Sequence, residues 1–106
     1  MLECGPLRID LGRRRVELEG QEVRLTPIEF RLLCVLARHA GRVVTHRQLL
    51  VEVWGPQSAE ETQYLRVYLT HLRRKLEPDP SRRRIFHNEA GVGYRLELAS
   101  PPEPRP

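Results

Sequence analysis

The sequence predicts a single α+β domain in which an antiparallel sheet comes first, three helices follow and a β-hairpin closes the chain. Residues 7 to 26 alternate apolar and polar side chains, with turn signals between short runs. Residues 26 to 76 change to helical spacing, and each helical run opens on a Thr or Ser cap. Residues 85 to 98 return to alternation around a glycine-rich turn. At 106 residues the chain is the size of one domain with one modest core.

The sheet is expected from Leu7, Ile9 and Leu11, then Val16 and Leu18, then Val23 and Leu25, with Gly12 and the Glu19-Gly20 pair turning the chain between them. A strand fragment before Leu7 fits the same pattern. The apolar face of such a sheet needs a cover, and the first helix supplies it. Thr26 as cap, Pro27 at the first helical position and Glu29 three residues after the cap start that helix, which runs to about residue 39 on a stripe of Phe30, Leu33, Cys34 and Ala37 and stops at Gly41. Arg31 and Arg38 lie off the stripe and read as solvent charges. Val43 and Val44 make a short strand, and Thr45 with Gln48 repeats the cap pattern for a second helix through Leu49, Leu50 and Val53 to Trp54.

Gly55-Pro56-Gln57 breaks that helix. Ser58 with Glu61 reads as a third capping box, opening a long helix over 58–76 that Pro78 and Pro80 stop. Leu65, Leu69, Leu72 and Leu76 fall on one arc of its helical wheel, which is the stripe of a helix lying on a core. Its opposite face centres on Gln63, Val67, Thr70 and Arg74, flanked by Arg66 and Arg73 on one side and Tyr64, His71 and Lys75 on the other. Arg82-Arg83-Arg84 precedes a strand from about Ile85 to Asn88, and Gly91-Val92-Gly93 turns the chain into a partner strand at residues 94 to 98. Residues 1 to 6 are expected to be a linker remnant, residues 7 to 99 the domain, and residues 100 to 106, SPPEPRP, a disordered tail.

The formal charge of +4 is unevenly spread. Residues 1 to 61 hold 9 Lys and Arg against 9 Asp and Glu, residues 62 to 95 hold 8 against 3, and the remainder holds 1 against 2. No acidic residue falls between Glu61 and Glu77. A solvated helix face normally mixes both signs, so this one points to a polyanion. A helix, a loop and a second helix with a basic outer face is the organisation of a helix-turn-helix, whose second helix enters the DNA major groove, and the hairpin beside it reads as a wing. The start of the second helix, with His46 and Arg47 at free N–H groups, suits a phosphate.

Other classes fit poorly. The histidines 39, 46, 71 and 87 fall on different elements with no nucleophile, metal set or glycine-rich phosphate loop to serve, so neither an enzyme nor a cofactor is expected. Cys4 and Cys34 have neither metal-ligand nor disulfide-framework spacing and read as free thiols, Cys34 as a small buried apolar residue. With no signal peptide and no long apolar run, a soluble cytoplasmic protein without membrane contact is expected.

The segments LTPIEFRLL at 25 to 33, THRQLL at 45 to 50, VW at 53 to 54, YLRVYLTHLRRKLE at 64 to 77 and GVGYRL at 91 to 96 together resemble the C-terminal effector domain of the OmpR/PhoB family of two-component response regulators. The likeness runs over residues 7 to 98. Within the family, HAGRVVTHRQLLVEVWGP and TQYLRVYLTHLRRKLE are similar to regulators of potassium-uptake operons. The resemblance implies a winged helix-turn-helix that binds double-stranded DNA and controls transcription. It implies base contacts from Gln63, Arg66, Val67, Thr70, His71 and Arg74, arginine suiting guanine and Val67 a thymine methyl. It implies phosphate contacts from Thr45, His46, Arg47, Trp54, Tyr64, Arg73, Asn88 and Tyr94. Full-length relatives carry a receiver domain addressed by a sensor kinase and bind tandem direct repeats, and the loop 55–59 would face RNA polymerase. Relatives often place arginine at the wing tip, where this chain has Ala90 beside Glu89, and at the position of His46. The rival reading is a winged helix that binds protein instead of DNA, since fold alone does not settle function.

Overall fold

A computed structural model of the chain describes residues 2–4, 6–77 and 85–97. Pro78, Pro80, the arginine run at 82–84 and the tail from 100 lie outside them. The order is β1 (Leu2–Cys4), β2 (Leu7–Asp10), β3 (Arg15–Leu18), β4 (Gln21–Val23), α1 (Pro27–Arg38), β5 (Val43–Thr45), α2 (His46–Trp54), a 3-10 turn (Pro56–Ser58), α3 (Thr62–Leu76), β6 (Phe86–Glu89) and β7 (Gly93–Leu96). The first four strands form an antiparallel meander, and β5, β7 and β6 form a second sheet with β7 in the middle.

The first strand lies inside the stretch expected as a linker. Leu2 pairs with Ile9 and Cys4 with Leu7, and Cys4 is buried in the core. Between β3 and β4 the turn holds two residues, Leu18 pairing with Gln21. Glu19 (φ 53) and Gly20 (φ 84) both take the left-handed conformation that a tight hairpin of this hand requires. Leu7, Ile9 and Val16 form the buried face of the meander, and α1 covers it beside β1 while packing on α2 and α3 as well.

The three helix starts grade from complete to absent. At α1 the Thr26 hydroxyl accepts from the Glu29 amide (3.2 Å) and the Glu29 carboxylate accepts from the Thr26 amide (2.9 Å). At α2 only half of the box forms: Thr45 accepts from Gln48 N–H (3.0 Å), while the Gln48 side chain turns away to Glu52 (2.9 Å). At α3 the expected Ser58–Glu61 box is missing and the helix starts four residues late, at Thr62. Pro56 after Gly55 draws residues 56–58 into a 3-10 turn, so Ser58 lacks the extended backbone that a cap needs. Glu61 instead donates its amide to the Ser58 carbonyl (3.0 Å).

Gly93 also departs from expectation. It stands in β7 opposite Thr45 and not in the turn, and a Cβ there would lie 1.9 Å from the Val44 carbonyl oxygen. The close passage of β5 over β7 therefore depends on the missing side chain. Arg31 is exposed, as expected of a solvent charge, and also donates to the Val53 carbonyl (3.3 Å), tying α1 to the end of α2.

Candidate nucleic-acid interface

Helix α3 is oriented as its sequence pattern requires. Leu65, Leu69, Leu72 and Leu76 are at most 2% exposed, while Gln63, Arg66, Val67, Thr70, His71 and Arg74 are all exposed. Val67, at an expected methyl-contact position, is 50% exposed. The Thr70 hydroxyl donates to the Arg66 carbonyl (2.8 Å), so an incoming ligand meets a side chain whose donor is already used.

The cations of this helix separate into two groups. Among the described residues Arg66 and Arg74 have no ion-pair partner. Lys75 reaches back 2.7 Å to Glu29, a carboxylate only 4% exposed, and so links the end of α3 to the capping box of α1. Burial would push the Glu29 carboxyl up, but the Lys75 ammonium and the Thr26 amide outweigh it and hold it below the ordinary range. Arg73, expected on a phosphate, donates to the Phe86 carbonyl (3.2 Å) and lies 3.5 Å from Glu77.

The expected phosphate contacts gather in two places. At the start of α2 the His46 amide, expected to be free for a phosphate, donates instead to the Val92 carbonyl (3.2 Å), which draws the wing turn onto the helix N-terminus. The His46 and Tyr94 rings meet edge to face at 5.4 Å, and Asn88 pairs across the hairpin with Tyr94. Tyr94 is buried apart from 7% of its surface. No buried side-chain polar atom among the described residues lacks a partner, so its hydroxyl, which makes no hydrogen bond there, opens to solvent. Thr45 and Arg47 are exposed beside this cluster.

The second place is the junction of α2 and α3. Trp54 packs on Tyr64 (5.6 Å) and on Tyr68 (5.3 Å), and the two tyrosines pack on each other (5.5 Å). This trio holds the first turns of α3, where no side chain caps the helix. Tyr68 was not anticipated as part of it, although its spacing from Tyr64 on a helix was the available signal. An open groove beside the junction is lined by Arg47, Pro56, Gln57, Glu60, Glu61 and Gln63.

The wing carries its own neutralisation. Arg95 lies 3.2 Å from Glu89 and 3.6 Å from Glu97, and His87 stands 2.8 Å from Glu97. Glu89 therefore does not present a bare negative charge at the tip. Burial pushes the Cys4 and Cys34 thiols up, and Arg38 and Arg14 only partly offset this at Cys34, as expected of inert core thiols. Among the described residues no cluster of His, Cys, Asp or Glu is placed to hold a metal ion, and no helix is long and apolar enough to cross a membrane.

Comparison with known proteins gives a consistent result. The family described as "Transcriptional regulatory protein, C terminal" matches residues 20–96. The chain is 51% identical over 98 residues to the KDP operon transcriptional regulatory protein KdpE of Escherichia coli, covering 92% of this chain and 44% of that protein. It is 50% identical over 97 residues to KdpE of Mycobacterium tuberculosis, covering 92% and 43%. The chain thus spans less than half the length of these relatives. Among solved structures, the DNA-binding domain of CpxR from E. coli superposes with a TM-score of 0.80 at 33% identity, over 93% of this chain and 97% of that one. The RstA DNA-binding domain of Klebsiella pneumoniae, in complex with RstA box, gives 0.81 at 28% identity, over 91% and 95%.

Proposed function

The chain belongs to the OmpR/PhoB-type family of transcriptional regulatory protein C-terminal domains, a class of DNA-binding regulators and not of enzymes, and on that premise we propose how it engages DNA. Helix α3 lies in the major groove of a duplex. Arg66 and Arg74 read guanine edges, Val67 and the Thr70 methyl read thymine methyls, and Gln63 and His71 read the groove margins. Thr45, His46 and Arg47 at the start of α2, with Tyr94 and Asn88 of the wing, hold one phosphate stretch, and Trp54 and Tyr64 hold another. These contacts fix register; the face of α3 specifies sequence.

The observation that carries this reading is that, among the described residues, Arg66 and Arg74 have no ion-pair partner on an exposed face whose flanking cations Arg73 and Lys75 are engaged. Unpaired guanidiniums on an exposed face keep their N–H donors available for base edges, and the fork geometry suits the paired acceptors of guanine. The identity to KdpE proteins supports a narrower reading, in which the full-length protein regulates a potassium-uptake operon. In that protein a receiver domain and sensor kinase would control binding to tandem direct repeats, and the loop 55–59 would face RNA polymerase.

The test is an anisotropy titration of the domain with duplex DNA over a range of salt. If about four to six phosphates are neutralised, log K falls with log[salt] at a slope of about −4 to −5. Absence of binding, or a slope near zero, would instead support the protein-interaction reading of the same fold.

A further inference from the structure

Resting on the DNA-binding reading, we propose that Arg73 and Glu77 form a clamp that sets the angle between α3 and the wing. Arg73 is then a positioning residue for base readout and not a phosphate ligand. Glu77 is the residue immediately after α3, and one of its carboxylate oxygens accepts the amides of both Ile85 and Phe86, the latter at 2.7 Å. Its other oxygen lies 3.5 Å from Arg73 Nε, and Arg73 Nη2 donates to the Phe86 carbonyl at 3.2 Å. Both polar backbone groups of Phe86 are thus held by side chains at the end of the recognition helix.

The surroundings make this more than a surface pair. Ile85 and Phe86 are 3% and 1% exposed, so the base of the wing is part of the core, and Glu77 keeps only 11% of its side-chain surface. Charge-assisted bonds shielded from water in this way are stiff and directional, whereas exposed pairs are not. At its far end the wing is held to α2 by the bond from His46 N–H to the Val92 carbonyl. The clamp fixes the near end, so helix and hairpin meet a duplex as one rigid surface. A guanidinium committed to a carbonyl and a carboxylate is also poorly disposed to release a counterion from DNA. Since base contacts tolerate little displacement, a loosened wing costs sequence discrimination before it costs general attraction.

The experiment compares Arg73→Gln, Arg73→Lys, Glu77→Gln, Glu77→Ala and the Arg73→Gln/Glu77→Gln double variant with wild type on two probes. One is a duplex enriched from a random pool by the wild-type domain; the other is a scrambled duplex of the same composition. Amide exchange at Ile85 and Phe86 and thermal unfolding are followed in parallel. The clamp predicts that affinity for the enriched duplex falls roughly tenfold in each single variant, that the double variant is little worse, and that the scrambled duplex changes by less than about twofold with the salt slope intact. Arg73→Lys should behave much like Arg73→Gln, because the two acceptors face different nitrogens of the planar guanidinium, Nε and Nη2, and a compact ammonium does not reproduce that fork. Glu77→Gln keeps an acceptor for the Ile85 and Phe86 amides but loses the charge that holds Arg73, so those amides should exchange faster than in wild type and more slowly than in Glu77→Ala.

The proposal is overturned if Arg73→Gln weakens both duplexes alike with a slope shallower by about one unit while Arg73→Lys restores both, the signature of a phosphate contact. Unchanged discrimination in all variants overturns it equally. If no duplex is enriched, the DNA-binding reading has failed. The exchange data then stand alone, and loss of Ile85 and Phe86 protection in Glu77→Ala, at unchanged global stability, is what the clamp requires.

Discussion

The outer face of α3 and its inner flank carry the same kinds of residue to opposite uses. Arg66 and Arg74 on the face have no ion-pair partner among the described residues, whereas Arg73 and Lys75, their near neighbours in sequence, are tied to the wing and to α1. Charge alone therefore does not say what a cation is for. The partner within reach decides it: a carboxylate or carbonyl close by makes the residue structural, and bare solvent leaves it free for a ligand. The excess of cations over residues 62 to 95 overstates the charge the surface can offer, because Arg95 is also paired, with Glu89 and Glu97.

Substitution sharpens this contrast most at Arg74. Arg74→Ala should cost about 1 to 3 kcal/mol on an enriched duplex and far less on scrambled DNA, with thermal stability unchanged. Equal losses on both duplexes would place Arg74 on the backbone and not on a base. Lys75→Met should do the reverse, lowering stability by about 1 kcal/mol through the stranded Glu29 carboxylate while affinity for either duplex stays within about twofold. A clear loss of DNA affinity in that variant would erase the distinction between flank and face.

Acid titration tests the same pair. Because the folded-state pKa of Glu29 is held below its unfolded value, the stability it contributes is fully present at neutral pH and is lost as pH falls through the folded value. The gap between wild type and Lys75→Met in denaturant midpoint should thus be widest near neutrality and narrow below about pH 4. A gap that stays constant down to pH 2 would mean the ion pair contributes nothing. The smallest effect is expected at the wing tip, where Ala90 is exposed. Ala90→Arg should tighten binding and steepen the salt slope by up to about one unit, more so with A/T-rich flanks, where a narrow minor groove draws in arginine. No change on either flank would mean that the tip stands more than a Debye length of about 8 to 10 Å from the phosphates.

Much of this was legible in the sequence where a signal was local and redundant. The start of α1 carries cap, proline and glutamate together, and all of them are used. The facing of α3 follows from four leucines at helical spacing, which leave one orientation available. Where a signal was single, a neighbour overrode it, as Pro56 did for Ser58. The pairing of Arg73 with Glu77 has the i,i+4 spacing of a helix and was open to view. The reach of Arg73 to Phe86 and of Lys75 to Glu29 was not, because those partners lie 13 and 46 residues away along the chain and no periodicity encodes a contact of that kind. Gly93 was read as a turn residue because a glycine-rich stretch signals a turn locally, whereas its real constraint is the Val44 backbone passing over it.

The aromatic trio at the junction of α2 and α3 also makes the molecule its own optical reporter. Trp54 is the one tryptophan in the chain, and two of the three tyrosines have rings within 5.6 Å of it. At such separations light absorbed by those tyrosines passes to the indole before they can emit, so the intrinsic fluorescence of the protein issues largely from a single point. That point adjoins the first turn of α3, where Tyr64 is half exposed. A phosphate arriving beside Tyr64 or Trp54 alters the polarity at the emitter, while a duplex held only through the far end of α3 does not. Emission intensity and wavelength during a DNA titration therefore report on this end of the helix alone, without a dye and without altering a residue.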